Sequence, residues 1–131
     1  MLTEGEKVAV LSIGPLGNHV QDALRILEKE GIRPTHVDMR YLAPLDTDIL
    51  KEIAENHNVI ITVEDGIQQG GLFSAVSEYF SENSYPHPIF PVAVNGRFVE
   101  HGDMESLYKE LHFDTESLVE KVRSVWSNLN K

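Results

Sequence analysis

Lys7–Ile13 reads KVAVLSI, a short β-branched run that is apolar at successive positions. A strand with one wet face would alternate polar and apolar residues, so this run predicts a strand buried between two layers. Gly14-Pro15 breaks it. From Leu16 to Glu30 the pattern becomes helical, with Val20, Ala23, Leu24 and Leu27 on one face and Gly31 as the stop. Thr35–Met39 (THVDM) predicts a second short strand. After Pro44-Leu45, Asp46 is placed to cap a helix that turns Ile49, Leu50, Ile53 and Ala54 inward.

Further along, Asn58–Val63 (NVIITV) predicts a central strand. Beyond Gly70-Gly71 comes a helix packing Leu72, Ala75, Val76, Tyr79 and Phe80, ended by Pro86 and Pro88. Ile89–Val94 predicts a fourth strand, at an edge or a bulge because Pro91 cannot donate to a ladder. A short helix over Met104–Leu111, capped by Asp103, is expected next. A separate terminal helix then begins at Asp114, with Leu118, Val122, Val125 and Trp126 inward. Strands alternating with helices predict an α/β fold: a three-layer, open, mostly parallel sheet with helices on both faces.

Composition narrows the function classes. The 131 residues carry 11 basic and 21 acidic side chains, a formal charge of −10, which argues against nucleic acid and against an anionic membrane surface. Without cysteine there is no disulfide, thiolate metal site or cysteine nucleophile. Met1–Lys7 has no signal-like apolar stretch, and no apolar run approaches the ~20 residues that span a bilayer. A cytoplasmic location is expected.

In such sheets ligands bind at loops beyond the carboxyl ends of the strands, here Gly14–Gly17, Arg40–Pro44, Glu64–Gly71 and Asn95–Gly102. Gly14-Pro15-Leu16-Gly17 could turn N–H groups toward an anion, although it lacks the full G-x-G-x-x-G spacing and the proline removes one donor. Asp38 sits where a dinucleotide fold keeps its ribose-binding carboxylate, or is a solvated turn residue. Gly70-Gly71, opening a helix, is the better anion cradle, open to a phosphate or a neighbouring protein segment. Glu64-Asp65 reads as an ionised, solvated turn pair. The six histidines have no metal-ligand spacing and read mostly as surface or turn residues, with His101 kept for a capping or interface role. Ser12, Ser74 and Ser77 lack a nucleophile-elbow context. No complete catalytic constellation is present.

Several phrases in order resemble the C-terminal domain of transketolase-like enzymes that use thiamine diphosphate. They are Val37-Asp38-Met39-Arg40-Tyr41 leading to Pro44-Leu45-Asp46, Ile61-Thr62-Val63-Glu64-Asp65-Gly66, and Gly70-Gly71 with Ser74-Ala75-Val76. Arg97-Phe98-Val99-Glu100-His101-Gly102 looks like the 1-deoxy-D-xylulose-5-phosphate synthase branch. The resemblance runs from about Glu4 to Trp126. Phe73 stands where that branch has a glycine, and Ala93-Val94-Asn95-Gly96 lacks its proline and aspartate.

The resemblance implies a doubly wound sheet with one opposed strand, and a single domain over 1–131 excised from a larger chain, with 1–5 and 127–131 as flexible ends. It implies that thiamine diphosphate and magnesium are held by other domains of the full-length transferase and that this domain binds no cofactor. The role left to it is packing on the preceding domains of the same chain and extending a homodimer interface. Arg40, Glu64, Gly70, Gly71, Arg97, His101 and Gly102 match motif positions on the loop edge and are candidates for interface or anion contacts, none of them catalytic. Two alternatives stay open. One is the C-terminal interaction domain of another transketolase-like enzyme or of a 2-oxo acid dehydrogenase β subunit, which docks an acyltransferase and which the Arg97–Gly102 phrase disfavours. The other is a free-standing phosphate- or nucleotide-binding domain resting on Gly14–Gly17 and Asp38.

Overall fold

The computed structural model describes residues 4–13, 17–39, 46–65, 71–94 and 104–129, without the side chains of 18, 19, 65, 94 and 104–114. Strands and helices alternate: β1 (Lys7–Ser12), α1 (Gly17–Glu28), β2 (Thr35–Asp38), α2 (Thr47–Asn56), β3 (His57–Asp65), α3 (Gly71–Glu82), β4 (Ile89–Val94) and α4 (Met104–Leu129). The strands form one sheet in the order β2-β1-β3-β4, and every pairing among them is parallel. The opposed strand implied by the resemblance is not among the described residues.

Parallel strands need crossover helices, and these bury both faces of the sheet. Val8, Val10, Val59, Ile61 and Val63 face α1 and α4, meeting Val20, Leu27, Leu118, Val122 and Trp126. Ala9, Leu11, Val37 and Ile60 face α2 and α3, meeting Leu50, Ile53, Leu72, Val76 and Phe80. Residues Val8 to Leu11 are all fully buried, as the two-faced apolar run of β1 predicts. Proline-bearing β4 lies at the sheet edge, with Pro91 opposite Thr62. Two cations cover the seam between α4 and the sheet: Lys7 Nζ lies 5.1 Å from the centre of the Trp126 ring, and Lys121 Nζ 4.9 Å from that of Phe90. No helix among the described residues is long and apolar enough to cross a membrane.

One expectation fails. Met104–Leu129 is a single helix of 26 residues, so Asp114 lies inside it rather than at the start of a second one. No glycine or proline occurs after Gly102 to interrupt the backbone ladder. An Asp in a helix interior costs only about 0.7 kcal/mol relative to alanine, too little to break a helix continuous on both sides.

The ends of α1 and α3 follow one rule with different residues. After α1, Ile32 N–H reaches Leu27 O at 3.1 Å and Gly31 N–H reaches Glu28 O at 3.0 Å, with Gly31 at φ 79°. After α3, Tyr85 N–H reaches Phe80 O at 2.9 Å and Ser84 N–H reaches Ser81 O at 3.1 Å, with Ser84 at φ 57°. This closure needs a left-handed residue, for which glycine is suited and serine is not. Ser84→Gly is expected to stabilise the fold by about 1 kcal/mol and Gly31→Ala to destabilise it by about as much, read as shifts in the urea midpoint. Shifts of the opposite sign would refute this account of the two helix ends.

Candidate functional site

β1 and β3 bring Ser12 and Glu64 to the carboxyl edge of the sheet, where the sequence placed the candidate loops. Of the seven candidates, Glu64 and Gly71 are described. Arg40, Gly70, Arg97, His101 and Gly102 lie outside the described residues, as do most of Gly14–Gly17 and all of Asn95–Gly102.

Glu64 is the main surprise of this edge. Read from sequence as a solvated turn carboxylate, it is 5% exposed and belongs to β3. Its position two residues beyond Thr62 on the strand turns it toward α3 rather than into water. Leu72 N–H donates to Glu64 Oε1 at 2.7 Å, and Phe73 N–H donates to Oε2 at 3.2 Å. The carboxylate therefore caps α3 from the preceding strand. It satisfies two otherwise orphaned donors and sits at the positive end of the helix dipole. The anion cradle expected at Gly70-Gly71 thus has an internal occupant at its helical side, while Gly71 itself is exposed as the first residue of α3. Phe73 departs from the family glycine, yet the donor it contributes is a backbone N–H that any side chain but proline preserves.

A second polar group lies under α1. His36 is fully buried within β2, with Nε2 2.7 Å from Ser12 Oγ and Nδ1 2.6 Å from Gln21 Nε2. With the Gln21 amide nitrogen donating to Nδ1, the neutral ring carries its proton on Nε2 and donates it to Ser12 Oγ. Burial disfavours the charged ring and pushes its pKa down to about 4. Sequence reasoning placed such histidines on the surface. The signal that could have found His36 is its position between Thr35 and Val37 in a strand of a doubly covered sheet, which offers no solvent face.

His57 and His87 are also packed. His57 Nδ1–H donates to Ile53 O at 2.9 Å, and its Nε2 lies 2.6 Å from Thr35 Oγ1. His87 donates from Nε2 to Ala54 O at 2.8 Å and stands edge-on to Phe80 and Tyr85. These rings join elements; they do not converge on a reaction centre. Asp38, the ribose candidate, is half-buried at the end of β2 opposite Ser12, with Oδ1 lacking a hydrogen-bond partner. Among the described residues no three His, Asp or Glu side chains come together to hold a metal ion.

Two predictions follow from these buried groups. Between about pH 6.5 and about pH 4 the unfolded chain binds a proton that His36 refuses in the fold, so stability is full above this window and falls as pH drops through it. The loss expected from this ring is about 3 kcal/mol, read as a lower urea midpoint at about pH 4.5 than at about pH 7.5. An NMR titration showing the His36 ring protonated near its ordinary pKa would contradict it. Glu64→Ala strands a buried donor and a part-buried one and is expected to cost on the order of 2 kcal/mol. Asp46→Ala should cost only about 1 kcal/mol, because Asp46 accepts from Ile49 N–H at an exposed helix start where water can substitute. Equal costs for the two would show that burial adds nothing to the Glu64 cap.

Comparison with known proteins agrees with this architecture. The family described as transketolase, C-terminal domain, matches residues 1–118. The 1-deoxy-D-xylulose-5-phosphate synthase of Parabacteroides distasonis is 41% identical over 122 residues, covering 93% of this chain and 19% of that protein. That of Cytophaga hutchinsonii is 40% identical over 124 residues, 95% of this chain and 20% of that protein. Among solved structures, a chain described as split gene transketolase, inactive beta4 tetramer, superimposes with a TM-score of 0.74 at 34% identity, covering 94% of this chain and 40% of that one. The chain spans about one-fifth of the length of the curated relatives it matches. It belongs to the transketolase C-terminal domain family.

Proposed function

We propose that this chain is the C-terminal domain of a 1-deoxy-D-xylulose-5-phosphate synthase. In that enzyme pyruvate and glyceraldehyde 3-phosphate give 1-deoxy-D-xylulose 5-phosphate and carbon dioxide on thiamine diphosphate, a step toward isoprenoid and thiamine precursors. The observation that carries the reading is the 41% identity to a synthase sustained across 93% of this chain. The domain's part is packing on the preceding domains and extending a homodimer interface of a cytoplasmic enzyme. Arg40, Gly70, Gly71, Arg97, His101 and Gly102 are the contact candidates at the loop edge.

The described residues do not fit thiamine diphosphate and magnesium. The N-terminus of α3, which could have received a diphosphate, already holds the Glu64 carboxylate, and among the described residues the acidic side chains do not converge on a metal position. Glu64 here orders the edge rather than reacting at it. In this reading the cofactor's chemistry belongs to other domains of the longer protein.

The likeness to a split-gene transketolase chain favours a second arrangement, in which this domain belongs to a separately encoded subunit of a transketolase-like enzyme. The upstream reading frame separates the two, since a synthase has its other domains encoded there. Activity tests the first reading. The 131-residue chain should release no carbon dioxide from pyruvate and glyceraldehyde 3-phosphate with added thiamine diphosphate and magnesium, whereas the chain with its upstream domains should. Turnover by the isolated chain, or none by the longer one, would refute the assignment.

A further inference from the structure

Charged side chains around α1 divide into paired and unpaired ones. Arg25 holds Asp22 at 3.0 Å, and Arg123 forks onto Glu30 and also pairs with Glu120. Among the described residues Glu4, Glu28 and Arg33 form no ion pair, although all three are exposed and line one groove. The groove measures about 230 Å³ and lies between α1 and the segments that lead into β1 and β2. Leu24 and Ile32, each 7% exposed, give it an apolar floor. It stands at the amino-terminal ends of these strands, away from Ser12 and Glu64 at the carboxyl edge.

The walls of the groove are tied to one another. Glu4 begins a strap, Glu4–Lys7, in which Gly5 N–H donates to Thr35 Oγ1 at 3.0 Å and Glu6 N–H donates to Arg33 O at 2.9 Å. A Cβ at residue 5 would lie 2.1 Å from Arg33 O, so the two backbones cross there at a distance only glycine permits. Ile32 N–H is fixed on Leu27 O of α1 at 3.1 Å, and Gln21, also in the lining, is fixed on His36. The backbones that carry Glu4, Glu28 and Arg33 are therefore in place before any ligand arrives, which lowers the ordering cost of binding.

We propose that this groove binds a small dipolar molecule with an aliphatic body, of the class of the free aliphatic amino acids. Arg33 takes the carboxylate, Glu4 and Glu28 take the ammonium, and the aliphatic chain lies on Leu24 and Ile32. Three features select this class. The volume falls below the ~300–1,000 Å³ of sites for drug-sized ligands, too little for a nucleotide or a coenzyme. The two carboxylates repel a phosphate or any other purely anionic ligand, and a plain amine leaves the Arg33 guanidinium unmatched. The apolar floor adds affinity only for a ligand that has carbon to bury. The groove stands apart from the loop edge, and its ligand is independent of the reaction of any longer enzyme.

L-Leucine is the probe that tests the groove. Titrated into the 131-residue chain, it should shift the backbone amide NMR signals of Glu28, Ile32 and Arg33 with a dissociation constant of about 1 mM or tighter. Three relatives of leucine each lack one contact: its α-oxo acid has no ammonium, its decarboxylated amine has no carboxylate, and glycine has no aliphatic chain. Each should bind at least about fivefold more weakly. Arg33→Gln and Glu28→Gln alter exposed side chains and should weaken leucine by a similar factor, whereas Lys51→Gln, exposed on α2, should leave its binding unchanged. No shift at the groove residues with about 10 mM leucine would overturn the site. Equal binding of leucine and any of the three relatives would overturn the ligand class. Leucine binding that survives Arg33→Gln undiminished would overturn the placement of its carboxylate.

Discussion

The burial of β1 and β3 on both faces is the constraint from which the other features follow. Once Val8–Leu11 and Val59–Val63 have no solvent side, helices must cover the sheet above and below, and each strand must return parallel through a crossover. A register slip of one residue would exchange the two core sets, placing Val10 where Leu11 belongs. The pairing Val10↔Ile61 and Leu11↔Thr62 is therefore held by packing on two sides at once.

Polar groups carried into that layer mostly find partners, although Thr62 Oγ1 has none among the described residues. Ser12 and His36 satisfy each other beneath α1 with Gln21, and Glu64 finds the first N–H groups of α3. The two solutions differ in charge. The imidazole is kept neutral because burial disfavours its charged form, whereas the Glu64 carboxylate lies at the positive end of a helix. The Glu64 cap and the Ser12–His36–Gln21 bonds thus hold the two faces of the sheet to the helices that cover them.

At the opposite side of the molecule, ties between distant segments fix how the domain is held together. Arg123 forms a fork with Glu30, Nε at 3.0 Å and Nη2 at 2.7 Å, binding the turn after α1 to α4; the same guanidinium holds Glu30 below the usual carboxylate range and also pairs with Glu120. Trp126 of α4 receives Lys7 from the strap. The last helix and the first described residues are in this way parts of one structure, although they are separated by nearly the whole sequence.

Much of this was legible from the chain alone. KVAVLSI announced a doubly buried strand, Asp46 its helix, Gly31 the close of α1 and Pro91 an edge, because each rests on local backbone chemistry or on a period of apolar residues. The motif order also pointed to the family before any coordinate. The fates of Glu64, His36 and Asp114 were decided only in three dimensions. A carboxylate is solvated or a helix cap according to which element lies over it, and a histidine is exposed or neutral and buried according to what covers its face. An aspartate starts a helix or rides inside one according to whether the neighbouring turns already hold. Sequence fixes which residues must leave water; the tertiary arrangement alone fixes what the polar residues meet when they go with them, because hydrogen-bond partners come from segments far apart in the chain.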